Sequence, residues 1–261
     1  MLTEAPRAND SGESTGIPPI GRSKDPAAIR QMFSSISGTY DLLNRSLSAG
    51  LDATWRRRAV VNSGLDPAAR VLDVGTGTGD LALAFAARRG FRGRIVGLDF
   101  AGPMLELARR KSDGIGGLSF LQGDALSIPC RSGAFDAVSA AFSFRNVSEP
   151  SRALAEFRRI LRPGGRLILL EFLKPVRLAW PLRVYLRAVL PVIGARISGH
   201  PSAYAYLRDS QAGFLTLDEA IRLLRANGFD LDRSERLFPG FAHLVISHSR
   251  ADSGEETRVS R

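Results

Sequence analysis

At 261 residues, with 44% hydrophobic and 24% charged content, the chain has the size and balance of one globular domain with appendages. Its single cysteine, Cys130, excludes a disulfide framework and suits a reducing compartment, and no apolar run of about eighteen residues predicts a transmembrane helix. The formal charge of +10 lies mostly on arginine pairs and triples without the basic stripe or module that nucleic-acid binding needs, which leaves solvated helix faces or anionic lipid headgroups.

Residues 1–24 are rich in Pro, Gly, Ser and charge and read as a disordered tail. No basic region followed by an apolar core marks a signal peptide, so the expected location is the cytoplasm. One folded domain is expected over 25–249. It begins with a helical lid over 25–62, opened by Asp25-Pro26 and carrying Ile29, Met32, Phe33 and Ile36, then Tyr40 and Asp41.

The α/β core is expected over 69–172. Its first strand, Val71-Leu72, ends in Asp73, and Gly75, Gly77 and Gly79 then open a helix over 81–88. Glycines at alternate positions let backbone amides approach a ligand, and the spacing differs from the G-x-G-x-x-G of dinucleotide sites. A carboxylate at Asp73 would repel a pyrophosphate but suits a cofactor with an ammonium and a sulfonium, which points to S-adenosylmethionine. About twenty residues later a strand from Arg94 ends in Asp99, placed for the ribose hydroxyls or for capping the next helix. A third strand, Leu118 to Gln122, ends in Gly123-Asp124-Ala125, where Asp124 can accept from the adenine amino group while the Ala125 amide faces a ring nitrogen. A fourth strand, Phe135 to Ala141, runs into Phe142 to Asn146. A helix over 152–161 stops at Arg162-Pro163-Gly164-Gly165, a turn feeding a strand from Arg166 to Glu171.

Region 173–249 reads as a substrate-side lid and final strands. Trp180 to Arg196 mixes apolar residues with arginines and prolines and suits a segment lying in a membrane interface or packed as a lid. Thr216 with Glu219 is a capping box for a helix closed by Gly228, two antiparallel strands follow at 231–237 and 242–249, and 250–261 is a polar tail.

The separated motifs Tyr40-Asp41-Leu42-Leu43-Asn44, Asp73 to Asp80, Gly97-Leu98-Asp99, Arg145-Asn146-Val147, Leu161 to Lys174 and Tyr204 to Leu207 resemble the quinone-biosynthesis C-methyltransferases. That resemblance implies an α/β fold: a doubly wound, seven-stranded, mostly parallel Rossmann-like sheet with antiparallel C-terminal strands. It implies S-adenosylmethionine as donor, no metal, and a ring carbon of a polyprenylated hydroquinone as acceptor, either demethylmenaquinol or the benzoquinol of the ubiquinone pathway. The family's cofactor contacts fall on Thr78, Asp99, Asp124 and Ala125. Its departures are Ala141, where some members carry serine, and the segment Ser210 to Leu215, which bears on the choice of acceptor.

Methylating carbon needs an electron-rich ring, so a hydroxyl must lose its proton. Arg145 cannot be a base, but it can stabilise the phenolate or orient a water; Asn146 can bind ring oxygens, and Tyr40 sits on the lid. His200, His243 and His248 lack metal-ligand spacing. The competing readings are a small-molecule or sterol methyltransferase, a nucleotide-binding dehydrogenase and an inactive binding protein. Expected partners are the prenylated hydroquinone, the inner face of the cell membrane in peripheral contact, and a second copy of the chain in a homodimer, with no nucleic acid.

Overall fold

Val71 and Leu72 point to opposite faces of one strand, and both faces are covered. Val71 packs with Trp55, Ala59, Leu81 and Phe85, whereas Leu72 packs with Leu154, Phe157 and Ile160. A strand buried on both sides is the mark of a parallel sheet between two helical layers.

The computed structural model describes residues 26–174, 214–240 and 242–251. The tail over 1–24, the stretch Trp180 to Arg196, His200, Tyr204 to Leu207, Ser210 to Gly213 and nearly all of the polar tail lie outside the described residues. The first half holds α1 (Pro26–Leu47), α2 (Leu51–Asn62), β1 (Arg70–Val74), α3 (Asp80–Ala86), β2 (Arg94–Asp99), α4 (Gly102–Lys111) and β3 (Leu118–Gln122). The second holds β4 (Phe135–Ala141), a 3-10 turn (Phe144–Asn146), α5 (Pro150–Ile160), β5 (Leu161–Phe172), α6 (Leu217–Ala226), β6 (Phe229–Leu237) and β7 (Ala242–Ser249).

These strands form one seven-stranded sheet in the order β3-β2-β1-β4-β5-β7-β6. The first five are parallel, and β7 runs antiparallel to both β5 and β6. From β1 the chain winds out through β2 and β3, then returns to build β4 and β5 on the other side. The reversal leaves a crevice beyond the carboxyl ends of β1 and β4, where open α/β sheets bind ligands.

Helix α1 closes that crevice. Ile29, Met32, Phe33 and Ile36 recur at helical spacing and pack on Ala101 and Met104 of the β2–α4 segment. Each buried side chain stabilises the contact by roughly 1.5–3 kcal/mol. Helix α6 carries the capping box: the Thr216 hydroxyl accepts from Glu219 N at 3.3 Å and the Glu219 carboxylate accepts from Thr216 N at 2.8 Å.

Most element ends shift by one or two residues from the sequence reading, and two differences bear on the site and the sheet. Asp73 lies inside β1, because pairing with β2 continues to Val74↔Leu98. The Pro163-Gly164-Gly165 turn lies inside β5, where the register jumps from Phe135↔Leu161 to Ala137↔Arg166. Pro163 has no amide to give the ladder and Gly164 takes φ 70, so these residues loop out as a bulge and the strand resumes.

Side-chain packing around the crevice leaves no room for a methyl at Gly97 of β2. A Cβ there would lie 2.6 Å from Phe120 Cδ1 and 2.9 Å from Thr76 Cγ2. Gly97→Ala is expected to destabilise the fold by about 1–3 kcal/mol through overpacking. Chemical denaturation checks this, and an unchanged midpoint would contradict it.

Candidate active site

The glycine turn leaves β1 with Gly75, Gly77 and Gly79 at φ 64, 55 and 85, all in the left-handed region that glycine alone enters freely. At Gly75 a Cβ would also stand 2.4 Å from Ser143 Cβ, and the Ser143 hydroxyl donates to Val74 O at 3.0 Å. The exits of β1 and β4 are thereby locked together. Gly77 N donates to Asp99 Oδ2 at 2.8 Å, and Ala101 N donates to Asp99 Oδ1 at 2.9 Å. Asp99 therefore ties the turn to the tip of β2 and holds the residue that precedes α4, without capping the helix itself. Burial pushes its pKa up, opposed by its backbone N–H donors.

A cavity opens beside this turn. Gly75 and Gly77, Asp99, and Asp124 with Ala125 line it from β1, β2 and β3; Phe142 to Phe144 and Asn146 line it from β4; Tyr40 lines it from α1. The Asp124 Oδ1 accepts from Leu126 N at 2.9 Å, which orients the carboxylate. Seven residues singled out in the sequence thus meet in one place: Tyr40, Gly75, Gly77, Asp99, Asp124, Ala125 and Asn146. Asp73, Thr78, Gly79 and Arg145 are not in that wall.

Asp73 lies one layer below, 1% exposed. Its oxygens accept from Thr76 Oγ1 at 2.7 Å and Ser139 Oγ at 2.8 Å. Burial lifts its pKa to about 6, opposed by those two hydroxyls and by Arg56. It can act on a ligand through its field rather than by touching it.

Thr78 turns the other way. Its hydroxyl donates to Asp41 Oδ1 at 2.5 Å and accepts from Lys111 Nζ at 3.0 Å, while Lys111 also bonds Asp41 Oδ2 at 2.9 Å. Lys111 and Asp80 form a further ion pair, Arg56 pairs with Asp52, and Arg56 lies 3.5 Å from Asp80. This cluster fastens α1 to α2, α3 and α4 across the mouth of the site. Gly79 gives room for α4 to approach, since a Cβ there would stand 3.1 Å from Ala108 Cβ.

Arg145 was expected to face the acceptor. Instead its guanidinium is 4% exposed, with Nη1 donating to Glu171 Oε1 and to Phe142 O, each at 2.6 Å. The 3-10 turn aims the side chain back at β5, behind the wall. The Tyr40 phenol has its pKa raised by burial, opposed by a hydrogen bond with Asn44 and by the positive charges of Arg145 and Arg56. Among the histidines, His243 is buried on β7 and His248 bonds Asp232 at 2.6 Å; neither lines the cavity.

Sequence reasoning missed Phe142 and the Asp41–Lys111 cluster. Phe142 is a bulky residue at φ 57, stacked on Phe172 at 4.4 Å and edge-on to Trp55. Such strain persists only where surrounding contacts enforce it. Nothing local in the sequence signals either feature, because the partners lie on different elements.

A doubly wound sheet whose first strand runs into a glycine turn, with an acid on the second strand bound to that turn, is the framework of enzymes that take a nucleoside-bearing cofactor. Solved structures of S-adenosylmethionine-dependent methyltransferases share the fold. One from Thermotoga maritima has a TM-score of 0.59 at 20% identity, covering 84% of this chain and 99% of its own. Another from Aquifex aeolicus has a TM-score of 0.58 at 21% identity, covering 76% and 92%.

The chain belongs to the ubiE/COQ5 methyltransferase family, whose model matches residues 22–248. It is 48% identical to the demethylmenaquinone methyltransferase of Thermus thermophilus, over 82% of this chain and 98% of that protein. It is 46% identical to the demethylmenaquinone methyltransferase of Deinococcus radiodurans, over 89% and 98%. A ubiquinone/menaquinone biosynthesis C-methyltransferase of Geotalea daltonii is 41% identical, over 82% and 93%. Membership of that family makes this chain a methyltransferase.

The acid below the turn has a testable consequence. A raised carboxyl pKa stabilises the free protein at low pH, and that contribution is lost as pH rises from the ordinary 3.8 through about 6; ionising Asp73 costs about 3 kcal/mol. A cationic donor favours the ionised form, so its affinity should rise between pH 5 and 7. Asp73→Asn should raise free-protein stability at pH 7 and flatten the affinity profile. Calorimetric titration with S-adenosylmethionine measures this, and equal affinity at pH 5 and 7 in the wild-type protein would contradict it.

Proposed function

We propose that the protein transfers a methyl group from S-adenosylmethionine to a ring carbon of a polyprenylated demethylmenaquinol, giving menaquinol in menaquinone biosynthesis. One observation carries the choice of acceptor: the relatives at 48% and 46% identity, matched over 98% of their own lengths, are both named for demethylmenaquinone. A second reading, C-methylation of the ubiquinone-pathway benzoquinol, is favoured by the double name of the Geotalea daltonii relative.

The cavity residues fit the donor. Gly75 and Gly77 put no side chain between the turn and the cavity, and two acids made reluctant to ionise by burial favour a positively charged ligand. We assign the ribose hydroxyls to Asp99, the adenine amino group to Asp124 with a ring nitrogen on Ala125 N–H, and the amino-acid end to the amides of Gly75 and Gly77. When bound, the donor supplies an electrophilic methyl group on sulfur.

At the acceptor end, the Tyr40 phenol, whose pKa burial raises above its ordinary 10, is a proton donor that hydrogen-bonds the ring oxygen on which negative charge develops. Asn146 holds the ring through its amide. Arg145 and Arg56 act through space: the positive potential that opposes the rise of the Tyr40 pKa also favours a phenolate beside it. Holding the nucleophilic carbon at near-attack distance supplies much of the remaining rate.

A prenylated acceptor resides in a bilayer, and no helix among the described residues is long and apolar enough to cross one. The reading is therefore a cytoplasmic enzyme that meets its acceptor in peripheral contact with the membrane. Deleting the gene and profiling quinones by mass spectrometry tests the acceptor. Accumulated demethylmenaquinone is expected; a demethylated benzoquinone precursor in its place would move the assignment to the second reading, and an unchanged quinone profile would reject both.

A further inference from the structure

Glu171, the penultimate residue of β5, is 3% exposed and does not line the cavity, yet both of its carboxylate oxygens are engaged. Oε1 accepts from Arg145 Nη1 at 2.6 Å and from Phe172 N at 2.8 Å, and Oε2 accepts from Arg145 N at 3.1 Å. One side chain on β5 thus holds Arg145 by both its main chain and its guanidinium. Arg145 Nη1 then holds Phe142 O at 2.6 Å, and Phe142 N donates to Leu170 O at 2.7 Å. Between those two bonds Phe142 sits at φ 57. A second route reaches the same place, since the Arg145 guanidinium carbon lies 5.4 Å from the Phe172 ring centroid and Phe172 stacks on Phe142.

We propose that Glu171 is a positioning residue for methyl transfer, acting through Arg145 to hold Phe142 in its left-handed conformation and the Phe142–Asn146 wall against the glycine turn. A bulky residue leaves that conformation once its carbonyl is released. If Phe142 relaxes, every residue after it is re-aimed: Ser143 leaves its seat against Gly75, and Asn146 moves away from the acceptor. The groups assigned to the ribose and adenine leave β2 and β3 and are untouched. The effect therefore falls chiefly on turnover, because the Gly77–Asp99 bond still holds the turn that takes the amino-acid end of the donor. An ångström of misplacement is enough to cost about a hundredfold in rate. The proposal rests on the methyl-transfer reading above.

The test is Glu171→Gln, which keeps the size of the side chain and removes its charge. Turnover is measured with a short-chain demethylmenaquinol analogue, donor affinity by calorimetry, and the Phe142 φ by crystallography. The expected result is a 30- to 100-fold lower kcat per donor-binding site, a donor Kd within threefold of wild type, and a negative φ at Phe142. Glu171→Asp, which keeps the charge with a shorter reach, should recover part of the rate, and it takes the place of the Gln variant if the latter does not fold. Wild-type kcat in the variant, or an unchanged φ at Phe142, overturns the proposal. A wild-type enzyme inactive on the naphthoquinol analogue instead overturns the acceptor reading, and the φ and donor affinity of the variant still decide the role of Glu171.

Discussion

The bond from the Gly77 amide to the Asp99 carboxylate is the constraint on which the site depends. It joins the turn after β1 to the tip of β2, and the same carboxylate holds the entry to α4 by accepting from Ala101 N. Two parallel strands and a helix are thereby registered by one buried acid. Its neighbour Asp73 registers β1 to β4 through Ser139 and to the turn through Thr76. Both acids are held where water cannot solvate them, and both pKa values rise as a result. A site built this way is primed for a cationic ligand before any ligand arrives.

Helix α1 is held by different physics from the sheet. Helix α1 buries an apolar stripe against Met104 and its neighbours, and then a polar cluster around Lys111 fixes its far end to the turn. The residues of that cluster are partly exposed, so each ion pair alone is worth little in water. Its value lies in geometry: Thr78 and Asp41 couple the position of α1 to the turn, and α1 carries Tyr40.

Much of this arrangement was legible in the sequence. Short apolar runs leading to acids marked β1, β2 and β3, and Thr216 with Glu219 marked α6. The cavity positions Asp99, Asp124 and Ala125 were readable because each follows a strand whose end must reach the carboxyl edge of the sheet. Direction was not readable. Thr78 and Arg145 sit in recognisable motifs, but which way each side chain points is decided by Asp41, Lys111 and Glu171, contributed by elements far away in the chain. The left-handed Phe142 carries no local mark, since a phenylalanine there is enforced by tertiary contacts alone. Asp73 was recognised as an acid suited to a cation, but its depth followed only from how far β1 pairs with β2.

The central claim is that Asp99 both anchors the glycine turn and binds the donor. Calorimetric titration of S-adenosylmethionine into the wild-type protein and Asp99→Ala, each checked for folding by circular dichroism, tests it most directly. Losing charge-assisted hydrogen bonds of about 1.5–3 kcal/mol each predicts at least tenfold weaker binding with the fold retained. Equal affinity in the two proteins would contradict the account.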